Sequence, residues 1–280
     1  MKALIWKEWR ETRLIPAAIT ILFLVTNLLW TLIDIRVRAL YGPASGSYTG
    51  NTTLISAGIA VLLGGVLSAS GAFSGEIGAG SLSFLTMLPI SRGRIWVSKV
   101  IAGLMSVFLS CLGVGAAGAA IFAGHVGLLK DAATYAPAAV NDYLFALQDP
   151  HIIIFPMGIV LLAAIGCFGV SLMVSLLVDR TLISSVISII ACVGIPFLVV
   201  CAMSAAPLLF SGSTGFAGQA GLTVLGLVIP VFYAASYYIF ANGETLRSSK
   251  RYFLMGQALA CWMALNVVIF AGCYALRNIV

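Results

Sequence analysis

The residues that could do chemistry are few in this chain, and most of them lie together between Phe73 and Val100, in the stretch FSGEIGAGSLSFLTMLPISRGRIWVSKV. It opens with Glu76, passes Gly78 and Gly80, forms an apolar turn or two through Leu82, Phe84, Leu85 and Leu88, stops at Pro89, and then presents Arg92, Arg94 and Lys99. That order suggests a docking element on the cytoplasmic side, held by the apolar runs on either side of it.

The remaining candidates are scattered. His125 and His151 stand at the outer ends of two apolar runs, where a half-polar ring is comfortable at an interface and a paired metal or proton site is the alternative. Gly169-Val170-Ser171 invites a serine-hydrolase reading, but Ser171 is 20 residues from His151 on one predicted helix, about 30 Å at 1.5 Å per residue. That separation excludes a dyad. The six cysteines, Cys111, Cys167, Cys192, Cys201, Cys261 and Cys273, fall in apolar runs with no CxxC pair, as small apolar residues do. No GxxxxGK[ST] loop occurs, so the chain has no phosphate cradle of its own.

The elements that hold these residues follow from composition. With 61% hydrophobic residues, 9% charged residues and a mean hydropathy of +1.10, a water-soluble fold of this length would lack the polar surface to cover itself. The expected class is an all-α, polytopic membrane protein. About 20 apolar residues cross a hydrocarbon core, and seven stretches reach that length: Leu14 to Ile33, Leu54 to Phe73, Val100 to Gly124, Ile152 to Val178, Leu182 to Met203, Leu222 to Ala241 and Phe253 to Leu276. They run continuously apolar instead of alternating, which argues for helices over barrel strands. No charge falls in the central spans, which favours a hydrophobic or amphiphilic cargo over a bare ion.

Orientation follows from the cations. With a cytoplasmic N-terminus, Lys2, Lys7, Arg10, Arg13, Arg92, Arg94, Lys99, Arg180, Arg247, Lys250 and Arg251 lie inside, eleven of the fifteen. The four outside, Arg36, Arg38, Lys130 and Arg277, are matched by Asp34, Asp131, Asp142 and Asp149. The net charge of +6 is thus a topology signal, and no nucleic-acid partner is expected. The start MKALIWKEWRETR has no apolar h-region of a signal peptide. At helical spacing Ile5, Trp6 and Trp9 share one arc and Lys7, Glu8 and Glu11 lie opposite, the pattern of a helix in the headgroup layer with Trp6 and Trp9 as interface anchors. Pro16 is expected to let the chain turn into the first span. Small residues spaced four apart, Gly64 with Ser68, Gly71 with Gly75, Gly113 with Ala117 and Gly115 with Ala119, permit close helix contact within or between subunits.

The stretch from Glu76 to Lys99 resembles the cytoplasmic segment between spans two and three of ABC-2 type transporter permeases, which reads E-x-x-x-G-[TS]-L-x-x-L-x-x-x-P-[IV]-[ST]-R with an aliphatic residue and then a Lys seven after the Arg. Glu76, Gly80, Ser81, Leu82, Leu85, Pro89, Ile90, Ser91, Arg92, Ile95 and Lys99 match in register. The opening KALIWKEWRE looks like that family's amphipathic elbow helix. The resemblance implies a transmembrane subunit of an ATP-driven exporter in the cell membrane, the inner membrane of a bacterium. Residues 1–241 would form the six-span permease domain, with an elbow helix over 1–13 and a coupling segment over 75–99, and residues 242–280 a cytoplasmic loop and an extra seventh span.

In that family the coupling helix docks into a groove on a separate ATP-binding cassette subunit, which holds ATP and Mg. This chain would carry no cofactor and no enzyme activity of its own, and would pair with a second copy or a second permease. Glu76 would anchor the start of the coupling helix. Leu82 and Leu85 would face the groove, and Arg92 with Lys99 would fix the return into span three. Seven spans would put Arg277 outside, whereas the family core keeps both ends inside, so a re-entrant stretch around Pro207 to Gly221 stays open. A secondary transporter or channel is a further alternative, for which only Asn27, Gln257 and Asn266 offer intramembrane amides, and so is a membrane anchor that recruits a cytosolic partner.

Overall fold

The computed structural model describes residues 2–41, 49–78, 90–132, 151–178, 180–192, 214–242, 253–254, 256–265 and 268. Among them the chain is all-helical with no strand. The helices are α1 (Lys2–Thr12), α2 (Leu14–Tyr41), α3 (Thr49–Gly78), α4 (Arg92–Ala132), α5 (His151–Ser175), α6 (Thr181–Cys192), α7 (Thr214–Ala241) and α8 (Gly256–Leu265). Three described stretches are long and apolar enough to cross a membrane, Lys2–Ile33, Ile55–Ile77 and Arg92–Ile121. The apolar part of the first begins at Leu14, since α1 ahead of it carries Lys2, Lys7, Glu8, Arg10 and Glu11 in eleven residues.

Local chemistry sets the helix ends. Thr12 Oγ1 donates to the carbonyls of Glu8 and Trp9 in the last turn of α1, which satisfies the hydroxyl within the helix. The helical run is interrupted at Arg13 and not at Pro16. Pro16 sits in the first turn of α2, where its missing N–H has no intrahelical acceptor to lose, so it needs no break. The Ser91 carbonyl accepts from the N–H groups of Arg94 and Ile95 and opens α4. Within α2, Thr20, Thr26 and Thr31 each donate to the carbonyl four residues back, which satisfies a hydroxyl in apolar surroundings.

Several boundaries differ from those read from hydropathy. α2 continues past Ile33 to Tyr41 and carries Asp34, Arg36 and Arg38, expected in an outer loop. α4 continues past Gly124 to Ala132, so that His125, Lys130 and Asp131 are helical. α7 starts at Thr214 instead of Leu222, and α5 ends at Ser175 instead of Val178. The reason is common to all four: hydropathy marks where a helix is greasy, whereas its end depends on backbone pairing and on helix formers such as Leu, Arg, Ala and Lys. Of the expected seventh span, α8 is the described part, and residues 269–276 lie outside the described residues, as do 193–213 with Pro196 and Cys201.

The chain divides into two compact units. One comprises Met1–Thr12, Gly65–Leu104 and Leu162–Val280. Its core is formed by Phe73, Ile95, Phe168, Leu172, Met173, Phe232 and Ile239, all buried. Glycine lets helices approach here: a Cβ on Gly65 would sit 2.6 Å from the Ala164 carbonyl oxygen of α5, and one on Gly169 would sit 2.5 Å from the Tyr233 ring of α7. Tyr233 also donates its hydroxyl to the Ile165 carbonyl at 3.2 Å. The other unit comprises Arg13–Gly64 and Met105–Leu161. Ile19, Phe23, Val61, Val107 and Val114 fill it, and buried Asn27 donates to Phe23 O and to Ser56 Oγ. α2 and α3 border an apolar groove of about 340 Å³ there, lined by Phe23, Trp30, Ile55, Ile59 and Leu63 among others.

Beside these apolar cores Ser68, Ser74, Ser106, Ser110, Ser171 and Ser184 are buried, while Leu22, Leu28, Leu29, Ile55, Phe108, Leu182 and Ile190 are exposed. Small polar residues at helix contacts and large apolar side chains on the outside suit lipid, where helix packing gains from small residues and not from hiding leucines.

Candidate functional site

The charges at the two ends of the stretch Glu76–Lys99 meet. Glu76 lies two residues before the end of α3 and Lys99 at the start of the third turn of α4, so each helix brings one charged side chain to the two ends of the stretch between them. Lys99 Nζ lies 3.0 Å from Glu76 Oε2 and 2.9 Å from Oε2 of Glu8, which reaches in from the middle of α1. Glu76 Oε1 accepts from Lys7 Nζ at 3.1 Å, and Lys7 also lies 3.7 Å from Glu8 Oε1 and 3.7 Å from Glu11 Oε1. The Lys99 ammonium stands 5.2 Å from the centroid of the Phe73 ring, so two carboxylates and an aromatic face surround it.

Burial grades this cluster. The Lys99 side chain is 1% exposed, Glu8 5% and Glu76 11%, whereas Lys7 at 46% forms the solvent edge. A lysine so enclosed is tolerable because carboxylates compensate it, and removing the ammonium would leave two buried carboxylates uncompensated, at a cost of about 3–5 kcal/mol. Burial pushes the Glu8 carboxyl above its ordinary range, and the charge and hydrogen bond of Lys99 pull it partly back. Burial opposes the charge on Lys7. The hydrogen bond and charge of Glu76, with Glu8 and Glu11 adding, outweigh it and hold that amine above the usual lysine value.

A second tie joins the start of α4 to the end of α7. Arg92 Nη1 donates to the carbonyl of Ala241, the last residue of α7, at 3.0 Å. A guanidinium there satisfies an orphan acceptor and meets the negative end of the helix dipole. One turn on, Trp96 lies edge-on to Tyr237 at 5.4 Å and to Tyr233 at 6.4 Å between ring centroids. Arg94 is exposed.

Of the residues singled out from sequence, Glu76 and Lys99 come together and Arg92 serves α7 instead. Gly80, Leu82, Leu85 and Pro89 lie outside the described residues. Trp6 is 64% exposed and Trp9 half-buried, on the side of α1 away from buried Glu8. Glu8 and Trp96 were not singled out. The available signal for Glu8 was an acid set, with Glu11, among the cations of the N-terminal stretch in a chain with 9 acidic residues, where a carboxylate on the inner side has every reason to find a buried lysine.

The cluster ties α1, α3 and α4 together through Glu8, Glu76 and Lys99. Among the described residues no three His, Cys, Asp or Glu side chains converge to hold a metal ion. Cys111, Cys167, Cys192 and Cys261 are free thiols, and Cys201 and Cys273 lie outside the described residues. His151 and Ser171 stand on one helix, α5, at its start and near its end. Comparison with protein-family models, with characterised proteins and with solved structures finds no match to this chain.

Proposed function

We propose that this chain is the membrane-spanning permease subunit of an ATP-driven transporter of the ABC-2 type, exporting a hydrophobic or amphiphilic substrate. In this reading a six-helix core, with the helix at 256–265 belonging to a seventh span, works with a second permease copy and with separate ATP-binding subunits that hold ATP and Mg. The N-terminus and the segment 75–99 face the cytoplasm.

The observation that carries the reading is the clasp formed by Glu76, Lys99 and Glu8. The sequence pattern of a coupling segment runs from Glu76 to Lys99, and these two end residues lie 3.0 Å apart with the elbow-like helix α1 bound to both. A segment whose ends are pinned together cannot spread when pushed. It passes force on to the helices that carry it, which is what coupling to an ATPase demands. The buried serines and apolar exterior support the membrane setting.

Co-purification tests the assignment. The chain, co-expressed with a candidate P-loop ATPase of its own organism and extracted gently, is expected to retain that ATPase; Leu85→Asp should lose it while the chain stays in the membrane, and Leu85→Met should keep it. Recovery of the parent without any ATPase, or of Leu85→Asp with a full complement, contradicts the reading.

A further inference from the structure

We propose that the outward face of α1 is a binding surface for anionic phospholipid headgroups. The inference rests on the membrane setting proposed above and not on the identity of the ATPase. Lys2, Trp6 and Arg10 follow one another at four-residue spacing, so they form one stripe along the helix, and all three are exposed. The half-buried Trp9 borders the same stripe.

What makes the stripe selective is where the acids of α1 go. Glu8 points inward to Lys99, and Glu11 is engaged by Lys7. Both negative charges of the helix are thereby held off the outward face, and Lys2 and Arg10 make no ion pair with a described residue. The face is left doubly cationic with an indole between the charges. An indole seeks the boundary of headgroup and acyl chain, where its ring is half apolar and its N–H is wet. The flanking cations then meet headgroup phosphates, and each Lys or Arg near an anionic surface favours it by about 1 kcal/mol, roughly fivefold.

An acidic protein surface would satisfy the cations but offers an exposed tryptophan no such boundary.

Shallow-brominated lipids provide the test. The full chain is reconstituted in phosphatidylcholine vesicles containing a minor fraction of phosphatidylglycerol, with bromine near the top of the acyl chain of one lipid or the other, at equal mole fraction of brominated lipid. Subtracting the Trp6→Phe variant isolates the Trp6 emission, and Trp30→Phe does so for Trp30. Trp6 is expected to be quenched severalfold more by brominated phosphatidylglycerol than by brominated phosphatidylcholine. In Lys2→Gln/Arg10→Gln that ratio should fall to near one while quenching itself persists.

Equal quenching by the two lipids in the parent, or an unchanged ratio in the double variant, overturns the proposal. So does an unquenched Trp6 beside a quenched Trp30, the outcome expected if a protein covers the face. If Trp30 is also unquenched, the membrane reading falls with it.

Discussion

Lys99 and Glu8 are 91 residues apart in the chain and meet at 2.9 Å, both buried, so that the elbow-like helix α1 is bound to the start of α4 through a charge pair that water scarcely reaches. Glu76 closes the other side of the ammonium. The pair therefore joins three helices at the base of the segment 79–89, and the consequences of breaking it are asymmetric.

Lys99→Met leaves the Glu8 and Glu76 carboxylates buried beside one another, a change expected to cost about 3–5 kcal/mol. Glu8→Gln should cost under about 1 kcal/mol, because burial already disfavours the charge on Glu8 and Lys99 keeps Glu76. Thermal unfolding in detergent measures both. A Glu8→Gln variant as damaged as Lys99→Met would show that the Glu8 charge, and not its shape, holds α1.

The same shift fixes a pH dependence. Folded Glu8 takes its proton more readily than the unfolded reference of 4.5, so its contribution to stability is present below about pH 4.5 and is lost as pH rises through its raised value. Lys7, shifted up from 10.5, acts in the same direction but only in strong alkali. Stability of the parent minus that of Glu8→Gln, measured from pH 4 to pH 8, should therefore decline with rising pH. A difference that grows with pH would mean that Glu8 is stabilised as a carboxylate.

Two glycines of α3 should respond in opposite ways. A methyl on Gly65 would lie 2.6 Å from the backbone oxygen of Ala164, which cannot swing aside, so Gly65→Ala should cost about 1–3 kcal/mol as overpacking does. Gly71 is exposed with nothing within 4 Å of its added Cβ, and Gly71→Ala should leave the melting temperature of the isolated chain unchanged or raised. If Gly71→Ala leaves the chain stable but removes the second copy, that face is a subunit contact; if it unfolds the chain, the packing described around α3 is wrong.

Legibility in the sequence tracked the range of the interaction. The helical class, the apolar runs and the polar stretch from Glu76 to Lys99 could be read because composition and spacing along one helix are local properties. The polar arc of α1 was also visible, but not that Glu8 within it turns inward, since its partner lies 91 residues away and only tertiary packing selects Lys99 over the other inner cations. Trp96 was overlooked for a similar reason: it looks like an interface tryptophan until Tyr233 and Tyr237 of α7 are placed against it. Pro16 misled because proline punctuates a helix interior yet is at home in a first turn. Gly80, Leu82, Leu85 and Pro89 stand where the sequence pattern put them in the argument and outside the described residues.

The segment between Glu76 and Lys99 is proposed to seat on an ATP-binding subunit, and site-directed cross-linking reads that seating without an intermediate step. A cysteine in place of Leu85, treated with a short thiol-to-amine cross-linker in membranes containing the co-expressed ATPase, is expected to yield one heterodimeric product that Leu82→Cys also yields and that Ile190→Cys, on the exposed face of α6, does not. A Leu85→Cys protein that is present in the membrane and forms no such product, or forms no more of it than Ile190→Cys, contradicts the claim.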